Sequence, residues 1–164
     1  MAKIYSTRDV FLEKMKKYCS YQERSHADVN KKLYELQLDA ELRDEITIEL
    51  IQQNFLNEER FARAIVRGKF RMNDWGKIKI KQQLKQHHIV DSLIHMAMTE
   101  IDEEEYLQKI KLLIQKKYDS LSNELPFKRF QKTILSVVQK GYEQPLVFQI
   151  AKNTIGISFI RLIA

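Results

Sequence analysis

The sequence predicts an all-α fold: three tandem three-helix repeats stacked into an elongated, curved array. Three observations predict it. Of 164 residues, four are Gly and two are Pro, too few for the tight turns of a β-rich fold. Apolar residues recur at helical spacing along nearly the whole chain, and two-residue alternation is never sustained. The same apolar spacing returns with a period of about 45–53 residues.

The elements follow in order. After an N-terminal extension at 1–6, the first repeat is placed at 7–53. Val29, Leu33 and Leu36 mark one of its helices, and Ser25 with Asp28 three residues on makes an acidic variant of the capping box ahead of it. The second repeat is placed at 57–101. Asn57 reads as a cap, with Glu58 and Glu59 in the first turn that follows. Phe61, Ala62, Ile65, Val66 and Met72 form the inner side of that helix, and Ile80 and Leu84 mark the next. The third repeat is placed at 102–154. Asp102 with Glu105 repeats the start signal, and Tyr106, Leu107, Ile110, Leu113 and Ile114 mark a long helix. Pro126 and Pro145 each suit a first helical turn. Residues 155–164 are left as a C-terminal tail, either a last helical turn or extended.

Equivalent positions carry the repeat. Leu33, Leu84 and Val137 correspond, as do Leu38, Ile89 and Tyr142, and Leu42, Leu93 and Leu146. Upstream, Phe11, Phe61 and Tyr106 correspond, and so do Met15, Ile65 and Ile110. One such unit buries little alone, so stacking is what builds a core. The competing architecture is a single compact bundle whose similar spacings are accidental.

Several function classes are excluded. The single cysteine, Cys19, gives no disulfide framework and no cysteine zinc site, and reads as a buried structural thiol. The chain opens without a basic-then-apolar leader and has no run of ~18 apolar residues; the apolar stretch 157–163 is far too short to span a bilayer. A reducing cytoplasm is the expected location. His87 and His88 diverge by ~100° on a helix and cannot share an ion as an i, i+4 pair would. The glycines at 68, 76, 141 and 156 make no phosphate loop, and no Gly-x-Ser-x-Gly elbow is present. Glu103, Glu104 and Glu105 read as acids at a helix start rather than a catalytic pair. The expectation is a non-enzymatic protein with neither cofactor nor metal.

Charge supplies the positive signal. The chain carries a formal +6, but residues 60–90 alone hold nine basic residues against one acid, which leaves −2 for the remainder. The nine are Arg60, Arg63, Arg67, Lys69, Arg71, Lys77, Lys79, Lys81 and Lys85, the candidate binding residues. On a helix, Arg60, Arg63, Arg67 and Arg71 fall within ~80° of each other. Lys77, Lys81 and Lys85 make a second stripe at i, i+4, i+8, with Lys79 on another face. Such a block suits an anionic partner, nucleic acid or an acidic protein surface. The plain alternative is a solvated face, paired at its start by Glu58 and Glu59. Trp75 either stacks on a base or covers a core. The cations of the third repeat read as ordinary surface.

The segments Asn57-Glu58-Glu59-Arg60-Phe61-Ala62-Arg63, Gly76-Lys77-Ile78-Lys79-Ile80 with Leu84 and Ile89, and Tyr18-Cys19-Ser20-Tyr21-Gln22-Glu23-Arg24-Ser25 resemble, in order and spacing, those of the RecX family. The resemblance spans roughly residues 9–154. It implies a monomeric, non-enzymatic regulator that inserts into the groove of the RecA–single-stranded DNA filament and inhibits RecA, with single-stranded DNA as a further partner. The family usually has Gly just before the position of Ile89, and often after the helix of Leu33. Here His88 and Gln37-Leu38 stand instead, so those turns are expected to be built differently. Two other functions fit the residues: a stand-alone nucleic-acid-binding module, and a helical adaptor for another acidic protein.

Overall fold

Helical periodicity is realised in nine α-helices among residues 7–156, the part of the chain that this computed structural model describes. They are α1 (Thr7–Tyr21), α2 (His26–Glu35), α3 (Ala40–Gln52), α4 (Glu58–Asn73), α5 (Lys77–Gln86), α6 (Asp91–Met98), α7 (Glu103–Asp119), α8 (Pro126–Val138) and α9 (Gln144–Ile155). They run as three successive triplets, with no strand among the described residues. The expectations for residues 1–6 and 157–164 lie outside those residues. None of the described helices is long and apolar enough to cross a membrane.

Helix starts follow from short polar side chains that accept the otherwise orphaned first amides. At α2 the capping box closes both ways: the Asp28 amide donates to Ser25 Oγ at 3.1 Å and the Ser25 amide to Asp28 Oδ2 at 3.0 Å. Asp39 accepts from the Leu42 amide, Asn57 from Arg60 and Asp102 from Glu105, at 2.8–2.9 Å. Pro126 opens α8 and Pro145 lies in the first turn of α9, where a missing N–H costs nothing.

Helix ends follow from residues in the left-handed region. Gln37, Asn54, Asp74 and His88 have φ of 56–59°, and Gly141 has φ 93°. Gln37, His88 and Gly141 stand at equivalent places in the three triplets. The turns after α2 and α5 were expected to differ for want of glycine. Instead Gln37 and His88 take up the positive φ that glycine adopts without strain.

The chain gathers into two compact units rather than three. One comprises the described residues up to Ile65 with Gln83–Ala97; the other comprises Val66–Gln82 with those from Met98 onward. The reason lies in α4, whose apolar residues are divided. Phe61 meets the His87 ring edge-on at 5.1 Å in the first unit, and Phe70 lies 6.0 Å from the Tyr106 ring in the second. The first unit buries Met15, Val29, Leu33, Ile46 and Leu50 completely. The second is built on Tyr106, Ile110, Ile114, Val137, Tyr142 and Val147. Met72 departs from the expected inner side. It lies one residue from the end of α4 and is 84% exposed, while Phe70 is buried in its stead.

Candidate functional site

The nine basic residues of the 60–85 segment are not equivalent. In the first unit, Arg60 is locked in place. Its Nε donates to Glu23 Oε1 at 2.6 Å, and its terminal nitrogens donate to Asn54 Oδ1 and to the carbonyls of Asn54 and Phe55 at 3.0–3.4 Å. Those carbonyls belong to the turn between α3 and α4, so Arg60 fastens the chain as it enters α4. Arg63 donates to Glu59 one turn back at 2.9 Å. Lys85 and Asp91 approach to 3.3 Å, both largely exposed.

In the second unit, Arg67 reaches Glu100 at 3.0 Å and Arg71 reaches Glu105 at 3.8 Å. Lys77 pairs with Glu103, and its ammonium also lies 4.4 Å from the centre of the Tyr106 ring. Lys69 and Lys79 are different. Their ammonium groups sit 4.7 and 4.4 Å from the centre of the half-buried Trp75 ring. Lys81 is exposed. Among the described residues these three lysines have no carboxylate within ion-pair distance.

The sequence correctly shows that Glu58 and Glu59 cannot serve the later turns of α4. What it did not show is that Glu100, Glu103 and Glu105 do. The signal was present as the acidic run ahead of and within the first turn of α7. Most of these pairs are partly or largely exposed, where an ion pair is worth only ~0–1 kcal/mol. Such a pair is exchangeable: Arg67 or Arg71 can turn to an incoming phosphate or carboxylate at little cost. Trp75 neither stays free nor simply covers a core; its ring gathers two ammonium groups through cation–π attraction.

The start of α5, which carries Lys77, Lys79 and Lys81, is fixed by the third triplet. The Gly76 amide donates to the Lys140 carbonyl at 2.8 Å and the Ile78 amide to the Gly141 carbonyl at 3.0 Å. Between them the Lys77 amide donates to the Tyr106 hydroxyl at 3.2 Å, and that hydroxyl donates to Glu143 at 2.6 Å. Burial, and then the bond to Glu143, push the Tyr106 phenol far above its ordinary range. Burial does the same to Tyr142. Both therefore remain protonated at any physiological pH. Glycine is required here, because a Cβ on Gly76 would fall 2.3 Å from the backbone of Gly141.

Cys19 is buried, and burial raises its thiol pKa despite nearby Arg24, so it is a packing group rather than a nucleophile. The described residues hold no group of three or more His, Cys, Asp or Glu placed to share a metal ion.

Known proteins resemble this chain along most of its length. Residues 57–98 match the family model described as RecX, second three-helix domain. The "Regulatory protein RecX" of Streptococcus agalactiae serotype V is 26% identical over 137 residues, covering 83% of this chain and 52% of that protein. That of Oceanobacillus iheyensis is 28% identical over 136 residues, covering 83% and 50%. The chain thus spans about half the length of these curated relatives. A crystal structure of regulatory protein RecX superposes with a TM-score of 0.79 at 27% identity, covering 89% of this chain and 71% of that one. The fold is also that of RecX from Lactobacillus salivarius, with a TM-score of 0.81 at 23% identity, covering 92% and 97%.

Proposed function

Since the chain belongs to the RecX family, we propose that it is a non-enzymatic regulator of the RecA recombinase, binding the groove of the RecA–single-stranded DNA filament and inhibiting it. Relatives named regulatory proteins support a regulatory role. The observation that carries the binding mode is the trio Lys69, Lys79 and Lys81, cations without a carboxylate partner in the second unit. Lys69 and Lys79 are held close together by one indole ring, although like charges repel. An anion placed against them relieves that repulsion. Arg63, Arg67, Arg71, Lys77 and Lys85 add contacts by exchanging weak surface partners for the filament. Arg60 serves the fold.

The protein works in this reading as a monomer in the reducing cytoplasm, where Cys19 stays a free thiol. It needs no cofactor. Groove binding modulates recombination and DNA repair by occupying the surface along which RecA acts.

The test is a titration of RecA ATPase on single-stranded DNA. The wild-type chain suppresses turnover at substoichiometric ratios, and the Lys69→Gln, Lys79→Gln, Lys81→Gln triple variant requires many-fold more protein. Full inhibition by the folded triple variant overturns the binding mode. Tight DNA binding with a steep salt slope, and no effect on RecA, overturns the regulatory role in favour of a stand-alone nucleic-acid-binding module.

A further inference from the structure

A second cationic site lies in the first unit, outside the 60–85 segment. A surface cavity of about 350 Å3 is lined by Ala27, Asn30, Lys31, Tyr34, Arg43 and His88. That volume lies in the range of small-molecule sites, ~300–1,000 Å3. Ala27, Asn30, Lys31 and Tyr34 stand at i, i+3, i+4 and i+7 on α2, so one face of that helix forms a wall. Arg43 comes from the first turns of α3, and His88 from the turn after α5.

The chemistry of the lining is one-sided. It has two permanent cations, an imidazole, a carboxamide and a phenol ring, and no carboxylate. Acids that neighbour these residues in sequence are engaged elsewhere. Asp28 bonds the Ser25 amide and lies 3.3 Å from His87; Glu35 pairs with Lys32; Asp39 caps α3. Asp44 does not line the cavity. The Arg43 guanidinium lies 5.5 Å from the centre of the Tyr34 ring, which is 70% exposed. An exposed aromatic face beside cations is uncommon without a ligand, because both groups forgo better partners.

His88 supplies an independent pointer. It holds φ 59°, a conformation that costs a residue other than glycine of order 1–2 kcal/mol. The equivalent place in the third triplet is Gly141, which takes its turn without that cost. The chain thus keeps a strained histidine where glycine would serve the fold better. Strain of this kind gathers at ligand sites.

We infer that this cavity binds a nucleoside phosphate, free or within a single strand: Lys31, Arg43 and His88 take the phosphate and the Tyr34 ring takes the base. Phosphate suits a planar guanidinium beside an ammonium, and a base has the π-face that Tyr34 lacks a neighbour for. An acidic peptide would use the cations and leave the ring bare. The inference does not rest on the RecA reading, and it engages none of the nine cations assigned there.

The experiment follows the Tyr34 and His88 ring signals of the full chain by NMR during titration with dTMP, with a (dT)15 oligonucleotide, with inorganic phosphate and with poly-aspartate. Both nucleotide probes shift both rings. Saturation by dTMP alone identifies a free nucleotide as sufficient, and a much tighter (dT)15 response identifies the strand. The Lys31→Gln, Arg43→Gln pair weakens binding at least tenfold and lowers the salt slope for (dT)15 by about 1.4, at ~0.7 per phosphate contact on a single strand. His88→Gly raises the melting temperature yet weakens binding, which a purely structural histidine would not do. RecA inhibition by the Lys31→Gln, Arg43→Gln pair remains measurable, so failure here is distinct from failure of the RecA reading. Unmoved rings with dTMP up to about 10 mM, where even ~1 mM binding would be near saturation, overturn the proposal. So does an equal response to inorganic phosphate or poly-aspartate.

Discussion

The backbone of Gly76 lies directly against that of Gly141: the Gly76 amide donates to the Lys140 carbonyl at 2.8 Å, and any Cβ on Gly76 would fall 2.3 Å from the Gly141 carbonyl carbon. The obstructing atoms are main chain on both sides, so no side chain can rotate out of the way. Gly76→Ala therefore forces the start of α5 off the third triplet, and costs roughly 1–3 kcal/mol or more as overpacking does. Gly68, with nothing within 4 Å of its Cβ position, lies inside α4 and reverses the sign. Gly68→Ala stabilises by about 0.5–1 kcal/mol through helix propensity. Urea unfolding of the two variants reads both outcomes, and equal effects would refute the contact.

Tyr106 holds the same junction from the side. Its hydroxyl accepts from the Lys77 amide and donates to Glu143. Tyr106→Phe leaves both partners unsatisfied next to a buried ring, at a cost of ~1–3 kcal/mol. The alkaline limb gives a second reading. Burial raises both the Tyr106 and Tyr142 phenols, so the folded chain keeps protons that the unfolded chain gives up above pH ~10. Stability is therefore fully present below pH ~10 and falls as pH rises beyond it. Tyr106→Phe makes that fall shallower, which thermal melts between neutral and alkaline pH would show.

The fold was legible because its signals are local. Ser25 with Asp28, Asn57 ahead of Glu58, and Asp102 with Glu105 each mark a helix start within four residues, and each bond forms. The helix ends were less legible, since Gln37 and His88 do a glycine's task without being glycine. The candidate site was legible only in half. Helical angle shows that Arg60, Arg63, Arg67 and Arg71 share a face, but their partners are distant in sequence. Glu23 lies 37 residues before Arg60, and Glu100 lies 33 after Arg67. No periodicity argument reaches across such separations, so the block looked more uniformly free than it is. Met72 was misplaced for a related reason: its angle is inward, but the helix ends beside it.

The left-handed turns give a prediction of opposite sign to most substitutions. Gln37→Gly removes a steric penalty of about 1–2 kcal/mol and returns part of it as backbone entropy in the unfolded chain. A net gain near 1 kcal/mol corresponds to a rise of roughly 2–4 °C in melting temperature for a chain of this size. His88→Gly should gain similarly. A lowered melting temperature in both would mean that these residues are not held at positive φ.

Arg60 and Lys81 separate structure from binding within one basic block. Arg60 makes four hydrogen bonds, and Glu23, which it neutralises, has its other oxygen buried without a partner. Arg60→Ala therefore strands a partly buried carboxylate and two turn carbonyls, and destabilises by ~1–3 kcal/mol. Lys81 is exposed and unpaired, so Lys81→Gln stays within about 0.5 kcal/mol of wild type. Charge reversal at Arg67 falls between them, since only a half-exposed pair with Glu100 is lost, worth ~0–1 kcal/mol. The order for RecA inhibition should differ from the order for stability. Lys81→Gln and Arg67→Glu weaken inhibition with a nearly unchanged melt, whereas Arg60→Ala lowers the melt and, at temperatures where it remains folded, still inhibits. Parallel loss of inhibition and stability across all three would mean that the block acts through folding alone, and that the cations make no contact of their own.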